Sequence, residues 1–201
     1  MKTLIIDLDH TIFDPSTIRF QEIKQFFDIF AQQIPPINQQ AAQKDFFYLS
    51  TNDFIDKYSL DKSVLRSELE RIKLDIKLDV SPFKDYTFVQ RMKVRRVLLT
   101  SGITALQNLK INSLGIRDDF DEICINDPLD DVPDGKLVVM QQLKGQTEDA
   151  ENNLVVIGDN LEEEIKYGQY LGLRSILIDR VGNSESPCHC ESISSFEELV
   201  L

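Results

Sequence analysis

Asp7 and Asp9 stand two residues apart at the end of an apolar run, Lys2-Thr3-Leu4-Ile5-Ile6-Asp7-Leu8-Asp9-His10-Thr11-Ile12-Phe13-Asp14. Side chains of an extended chain alternate faces, so this spacing puts both carboxylates on one side where a strand gives way to a loop. Two like charges that close repel, and a divalent cation held by oxygen ligands relieves the repulsion. These residue types therefore predict a magnesium site at the carboxyl end of a first strand. A polar turn after a buried strand is the plainer reading of the same residues. His10 falls on the opposite pleat and reads as a packing or loop residue.

Further along, Leu98-Leu99-Thr100-Ser101-Gly102 ends a second apolar run in hydroxyl residues just where a helix is expected to begin. The Thr100 hydroxyl and the Ser101 and Gly102 amides can bind phosphate oxygens there, and the same residues can serve as a helix cap. A third run, Val155-Val156-Ile157-Gly158-Asp159-Asn160-Leu161-Glu162-Glu163-Glu164, carries Asp159 and then three glutamates. An acidic first turn is also what a helix dipole favours without any metal. Lys136 precedes a helix that leads to this run.

Taken together, Asp7-Leu8-Asp9-His10-Thr11, Leu98-Leu99-Thr100-Ser101-Gly102, Lys136 and Gly158-Asp159 resemble the four ordered motifs of the haloacid dehalogenase superfamily of hydrolases. The resemblance runs from Lys2 to about Asp179 and is weak from about Thr17 to Pro82. It implies a phosphatase in which Asp7 is the nucleophile that forms an aspartyl phosphate, while Asp9 protonates the leaving group and then deprotonates the attacking water. Lys136 would neutralise the nucleophile and the transferred phosphoryl, and Thr100, Ser101 and Gly102 would bind the phosphate. Magnesium would be held by Asp7, the main-chain carbonyl of Asp9 and Asp159, with Glu163 or Glu164 orienting its waters.

The superfamily's dehalogenases lack an acid at the second position, so Asp9 favours phosphoryl transfer. Two departures stand out: glutamate occurs where the family has aspartate, and Leu137 follows Lys136 where proline is common. Lys144 is the rival to Lys136, but it leaves little chain for a helix before Leu154. The resemblance leaves three functions open: a phosphatase acting on a small phosphorylated metabolite, a sugar phosphomutase, or a non-catalytic regulatory or binding protein on the same fold.

Positioning such residues calls for strands with helices between them. Thr3 to Ile6, Arg96 to Leu99, Glu122 to Ile125, Leu154 to Ile157 and Ser175 to Ile178 read as strands of a Rossmann-like parallel sheet covered on both faces. Ala105 to Leu109, Leu137 to Lys144, Glu162 to Leu171 and Phe196 to Val200 read as its helices, with Gly172 as a stop. Ligands of such α/β sheets gather beyond the carboxyl ends of the strands, where every motif lies. Between them, Phe20, Ile23, Phe27 and Phe30, and then Leu65, Leu69, Ile72 and Ile76, recur at helical spacing around Pro35-Pro36. The expected organisation is a core of residues 1–15 and 83–201 and an all-helical cap of residues 16–82, hinged at Asp14-Pro15-Ser16 and Ser81-Pro82-Phe83.

At 201 residues the chain can bury one good core with a small insertion. A net charge of −12 argues against nucleic acid and anionic membranes as partners, and leaves a small phosphorylated metabolite as the expected one. No run reaches the length of a membrane span, and a signal peptide would not carry Asp7 and Asp9 in its apolar stretch, so a cytoplasmic protein is expected, as a monomer or homodimer. Cys124, Cys188 and Cys190 are too few for a disulfide framework, and Cys188-His189-Cys190 reads as a surface loop with reduced thiols rather than a zinc site.

Overall fold

The structure, a computed structural model, describes residues 1–72, 76–130, 132–182 and 190–201. The chain opens with strand β1 (Thr3–Ile6) and then inserts helices α1 (Phe20–Ala31), α2 (Gln39–Tyr48), α3 (Thr51–Tyr58) and α4 (Lys62–Arg71). Next come α5 (Tyr86–Arg91), β2 (Arg95–Ser101), α6 (Thr104–Leu114), β3 (Glu122–Asn126), α7 (Gly135–Gln146), α8 (Ala150–Asn153) and β4 (Leu154–Gly158). A π-helical turn, Leu161–Ile165, leads into α9 (Lys166–Tyr170), and β5 (Arg174–Ile178) and β6 (Glu191–Ile193) follow.

All six strands run parallel in the order β3-β2-β1-β4-β5-β6. The chain builds outward from β1 on one side and then on the other, so the order reverses at β1. Such a reversal opens a crevice at the carboxyl ends of the strands. Because Ile6 pairs with Leu98 on one side and Ile157 on the other, the next residues of the three strands emerge at one mouth. Asp7, Thr100 and Asp159 come from those three exits.

The sheet is buried on both faces, which is why its strands read as unbroken apolar runs. Leu4, Ile6, Leu98, Val155 and Ile157 pack on one face with Ile111 and Phe196. Ile5, Val97, Leu99 and Val156 pack on the other with Met140 and Leu143 of α7. The described elements of the insertion are all helices, built on the apolar stripe of α1, whose Phe30 meets Phe46 and Phe54 edge-on at 5.5 and 5.7 Å. Its buried side chains belong to the same cluster as Leu4 and Ile6. At its two ends, Asp14 caps the short turn Pro15–Thr17, and the Phe83 amide donates to the Ile12 carbonyl at 2.8 Å, tying the exit to the entrance.

Several elements differ from expectation. The second cap stripe is cut short: α4 ends at Arg71, Ile72 turns extended and Ile76 is 39% exposed. The helix expected from Phe196 is a single 3-10 turn, Phe196–Glu198. Helix α6 runs on to Leu114, where Gly115 takes the left-handed conformation that ends it. Strand β6 is new, and its Glu-Ser-Ile carries too little apolar pattern to be read. Cys188 and His189 lie outside the described residues, and Cys124 sits half-buried in β3 with its thiol pushed up to about 11, chiefly by burial. Among the described residues, no helix is long and apolar enough to cross a membrane.

Candidate active site

Asp7 is fixed just beyond β1, where its amide donates to the Ile157 carbonyl at 3.0 Å and extends the ladder to β4 by one residue. Its carboxylate is buried and accepts from Lys136 Nζ at 3.0 Å through Oδ1. Lys136 reaches it from the first turn of α7, which starts directly against the end of β3. A Cβ on Gly135 would lie 2.0 Å from Asn126 Oδ1, so only glycine lets the helix begin that close.

Lys136 also pairs with Glu164 and, at 3.2 Å, with Glu163 Oε2. The wide turn after β4 makes both contacts possible: the Ile165 amide donates five residues back to Asn160 at 3.3 Å, a π-helical bond. Consecutive residues are thereby turned toward one ammonium, a local feature that recurs at functional sites. Both glutamates that the spacing offered as outer ligands of a metal pair with Lys136, Glu164 buried and Glu163 half-buried. Gly158 makes room for the second of them, because a Cβ there would sit 2.6 Å from Glu164 Cγ. Gly158→Ala is accordingly expected to push Glu164 off Lys136 and cost about 1–3 kcal/mol; denaturant unfolding measures this, and an unchanged midpoint would refute it.

Burial sets the electrostatics. On its own it would lower Lys136, but the charges of Asp7, Glu164 and Glu163 outweigh it and hold the ammonium well above its ordinary range. Asp7 is pushed up to about 7, first by burial and then by Glu164 and Asp9, against the pull of Lys136. Asp159 is pushed up to about 6 by burial and by the charge of Asp7, and Glu164 is raised by burial.

Asp9 lies across the mouth and is held by residues that motif spacing did not single out. Lys110 Nζ donates to both its oxygens, at 2.9 and 2.8 Å, and Gln107 Nε2 donates to Oδ2 at 3.1 Å. The same amide nitrogen lies 2.8 Å from Thr100 Oγ1 and 2.7 Å from the Ser101 carbonyl. Gly102 has φ of +142°, and a Cβ there would come within 3.1 Å of Gln107. A signal for these residues existed: Ile103, Gln107, Lys110, Ile111 and Leu114 form one helical stripe, all buried, with two polar residues at positions that should be apolar. His10, at φ 57°, is an exposed loop residue.

Residues 4–178 match the family model for haloacid dehalogenase-like hydrolases. The chain belongs to that family. Among solved structures it is similar to YfnB of Bacillus subtilis, described as a HAD-hydrolase bound to magnesium, at 18% identity and a TM-score of 0.60, covering 98% of this chain and 96% of the other. A HAD phosphatase from Thermococcus onnurineus matches at 18% identity and 0.59 over 98% and 95% of the two chains. A Thermotoga maritima protein assigned as a beta-phosphoglucomutase matches at 14% and 0.57 over 98% and 96%. At these identities the likeness is one of fold. No curated protein matches the chain.

The donor set of this HAD-like chain suits a hard cation. Burial and the charge of Asp7 raise the proton affinity of Asp159, and Glu164 Oε2 is buried without a hydrogen-bond partner, so the mouth holds more negative charge than Lys136 balances. Among the described residues no three His, Cys, Asp or Glu side chains form a ready-made metal cage. Beside Lys136 opens a cleft of about 390 Å³, lined by Asn52 and Lys62 of the insertion and by Asp127, Asp134, Glu163 and Tyr167 of the core. Arg66 of α4 spans the two parts by donating to the Leu129 carbonyl and, at 2.9 Å, to Asp130.

Proposed function

We propose that this HAD-like hydrolase is a magnesium-dependent phosphatase of a small phosphorylated metabolite. The observation that carries the reading is the pairing at one mouth of a buried Asp7 held by Lys136 at 3.0 Å and an Asp9 linked through Gln107 to Thr100. Asp7, Asp159 and the main-chain carbonyl of Asp9 would hold the magnesium, which supplies positive charge to the transferred phosphoryl group.

Lys136 occupies Asp7 Oδ1 and leaves Oδ2 to attack phosphorus. As the ester P–O bond breaks, the leaving oxygen takes a proton from Asp9. Water then attacks the aspartyl phosphate and gives its proton back to Asp9, releasing inorganic phosphate and restoring the Asp7 carboxylate. The Thr100 hydroxyl and the amides beyond it bind the phosphoryl oxygens not in transit. The polar cleft of about 390 Å³ beside Lys136 is of a size that accommodates a small metabolite.

Hydrolysis of 4-nitrophenyl phosphate, and of a panel of phosphorylated metabolites, is expected to require added magnesium and to stop in excess chelator. Full activity in chelator would overturn the metal assignment. Turnover of phosphoproteins faster than any small ester would overturn the substrate class.

A further inference from the structure

We propose that Lys110 and Gln107 are positioning residues that set the Asp9 carboxylate for its part in phosphoryl transfer, an inference that rests on the phosphatase reading above. Asp9 lies just beyond β1 in a loop that bridges back at Phe13, which places its backbone and leaves the orientation of its carboxylate to the side chains around it. Orientation comes instead from α6, an eleven-residue helix packed on the sheet. Lys110 Nζ bonds both oxygens of Asp9 at 2.9 and 2.8 Å, and Gln107 adds a third contact at 3.1 Å. These two donor groups make three contacts with a carboxylate that offers about four acceptor positions, which leaves one for a proton in transit.

Gln107 also couples the two halves of the site. Its amide nitrogen lies 2.8 Å from Thr100 Oγ1, so the carboxylate and the hydroxyl expected to touch the same phosphoryl group share one side chain. Both partners are embedded in the fold: Gln107 is 1% and Lys110 9% exposed, on a stripe otherwise made by Ile103, Ile111 and Leu114. An aliphatic residue at either place would pack without desolvating a polar group, and Gln107 Oε1 is buried with no partner. Packing alone therefore accounts poorly for these residue types, whereas holding Asp9 accounts for both. Gly102 borders the same device, since a Cβ there would crowd the Gln107 side chain at 3.1 Å.

The test compares wild type with Lys110→Met, Lys110→Arg and Gln107→Leu in the full chain. With an alkyl phosphate, Lys110→Met is expected to lower kcat on the order of 10²-fold, the usual result of misplacing a reacting group by an ångström, while KM moves less than about threefold. With 4-nitrophenyl phosphate, whose leaving group needs little protonation, the first-turnover burst should persist while the steady state slows. Arg is expected to restore part of the loss, and Gln107→Leu to reproduce it more weakly. Equal loss of burst and steady state, or a loss that follows the melting temperature across the variants, would overturn the proposal in favour of a structural ion pair. Crystal structures of wild type and Lys110→Met supply a readout independent of turnover: an Asp9 carboxylate that keeps its place without Lys110 refutes positioning. If the wild type hydrolyses nothing, the phosphatase reading fails by itself, and the Asp9 rotamer in the two crystals still decides the role of Lys110.

Discussion

Asp7→Asn is expected to abolish turnover, by on the order of 10⁴-fold or more, while leaving the metal-free protein at least as stable as wild type at pH 8. The first half follows from chemistry: an amide keeps the shape of the carboxylate but offers no anionic oxygen to attack phosphorus. The second half follows from burial. Asp7 has its proton affinity raised from an ordinary 3.8 to about 7, first by desolvation and then by Glu164 and Asp9. A group raised in the folded state contributes stability that is fully present below its unfolded value and is lost as pH climbs through its folded value. Ionising Asp7 above pH 7 therefore costs the wild type stability that the neutral amide keeps. Melting curves of chelated protein should show wild type weakening from pH 5 to 8, with the variant changing less. Phosphate release within tenfold of wild type would end the nucleophile assignment, and a variant that melts lower at pH 8 would mean that the Lys136 pair outweighs desolvation.

The sheet and the mouth of the site were legible because their signals are local. The runs Leu4-Ile5-Ile6, Val97-Leu98-Leu99 and Val155-Val156-Ile157 are buried on both faces, and each is followed within two residues by a polar side chain, Asp7, Thr100 or Asp159. Polar residues after such runs fall at the carboxyl edge whatever the rest of the chain does. Asp7, Thr100 and Asp159 could thus be placed together without knowing how any side chain turns.

What escaped depends on side chains meeting across long stretches of sequence. Nothing near Glu163 and Glu164 announces a π-helical turn, since the extra residue is accommodated by tertiary packing against Lys136. Gln107 and Lys110 were visible only as polar residues in an apolar stripe, a pattern that reads as a poor helix until Asp9 is seen beside it. Ile72 and Ile76 show the opposite error: the spacing continued after the helix had ended. Strand β6 pairs with β5 through Ile176, Leu177 and Ile178, so its existence is written mostly in its partner.

Lys136→Met is expected to be the most damaging single change, because it removes the one ammonium shared by three carboxylates. Lys136 and Glu164 side chains are 6% and 2% exposed, and stripping one partner from a buried ion pair costs about 3–5 kcal/mol, where replacing all partners would not. In a domain of this size that corresponds to a fall in melting temperature of about 10 °C at neutral pH. The loss should depend on pH in a definite direction. In wild type, Lys136 is held above its ordinary range, so its contribution persists through neutrality and fades only in strong alkali. Without it, Asp7 and Glu164, both already raised by burial, take up protons more readily still. Stability of the variant should therefore recover toward pH 5 and fall as pH rises through 7. Activity should not recover with it, because a protonated Asp7 cannot attack and the transferred phosphoryl has lost a positive charge. Melting curves and phosphate release measured on the same samples from pH 5 to 8 separate the two contributions. Activity that returns in step with the fold would reduce Lys136 to a structural counter-ion and leave the charge balance at the nucleophile to the metal alone.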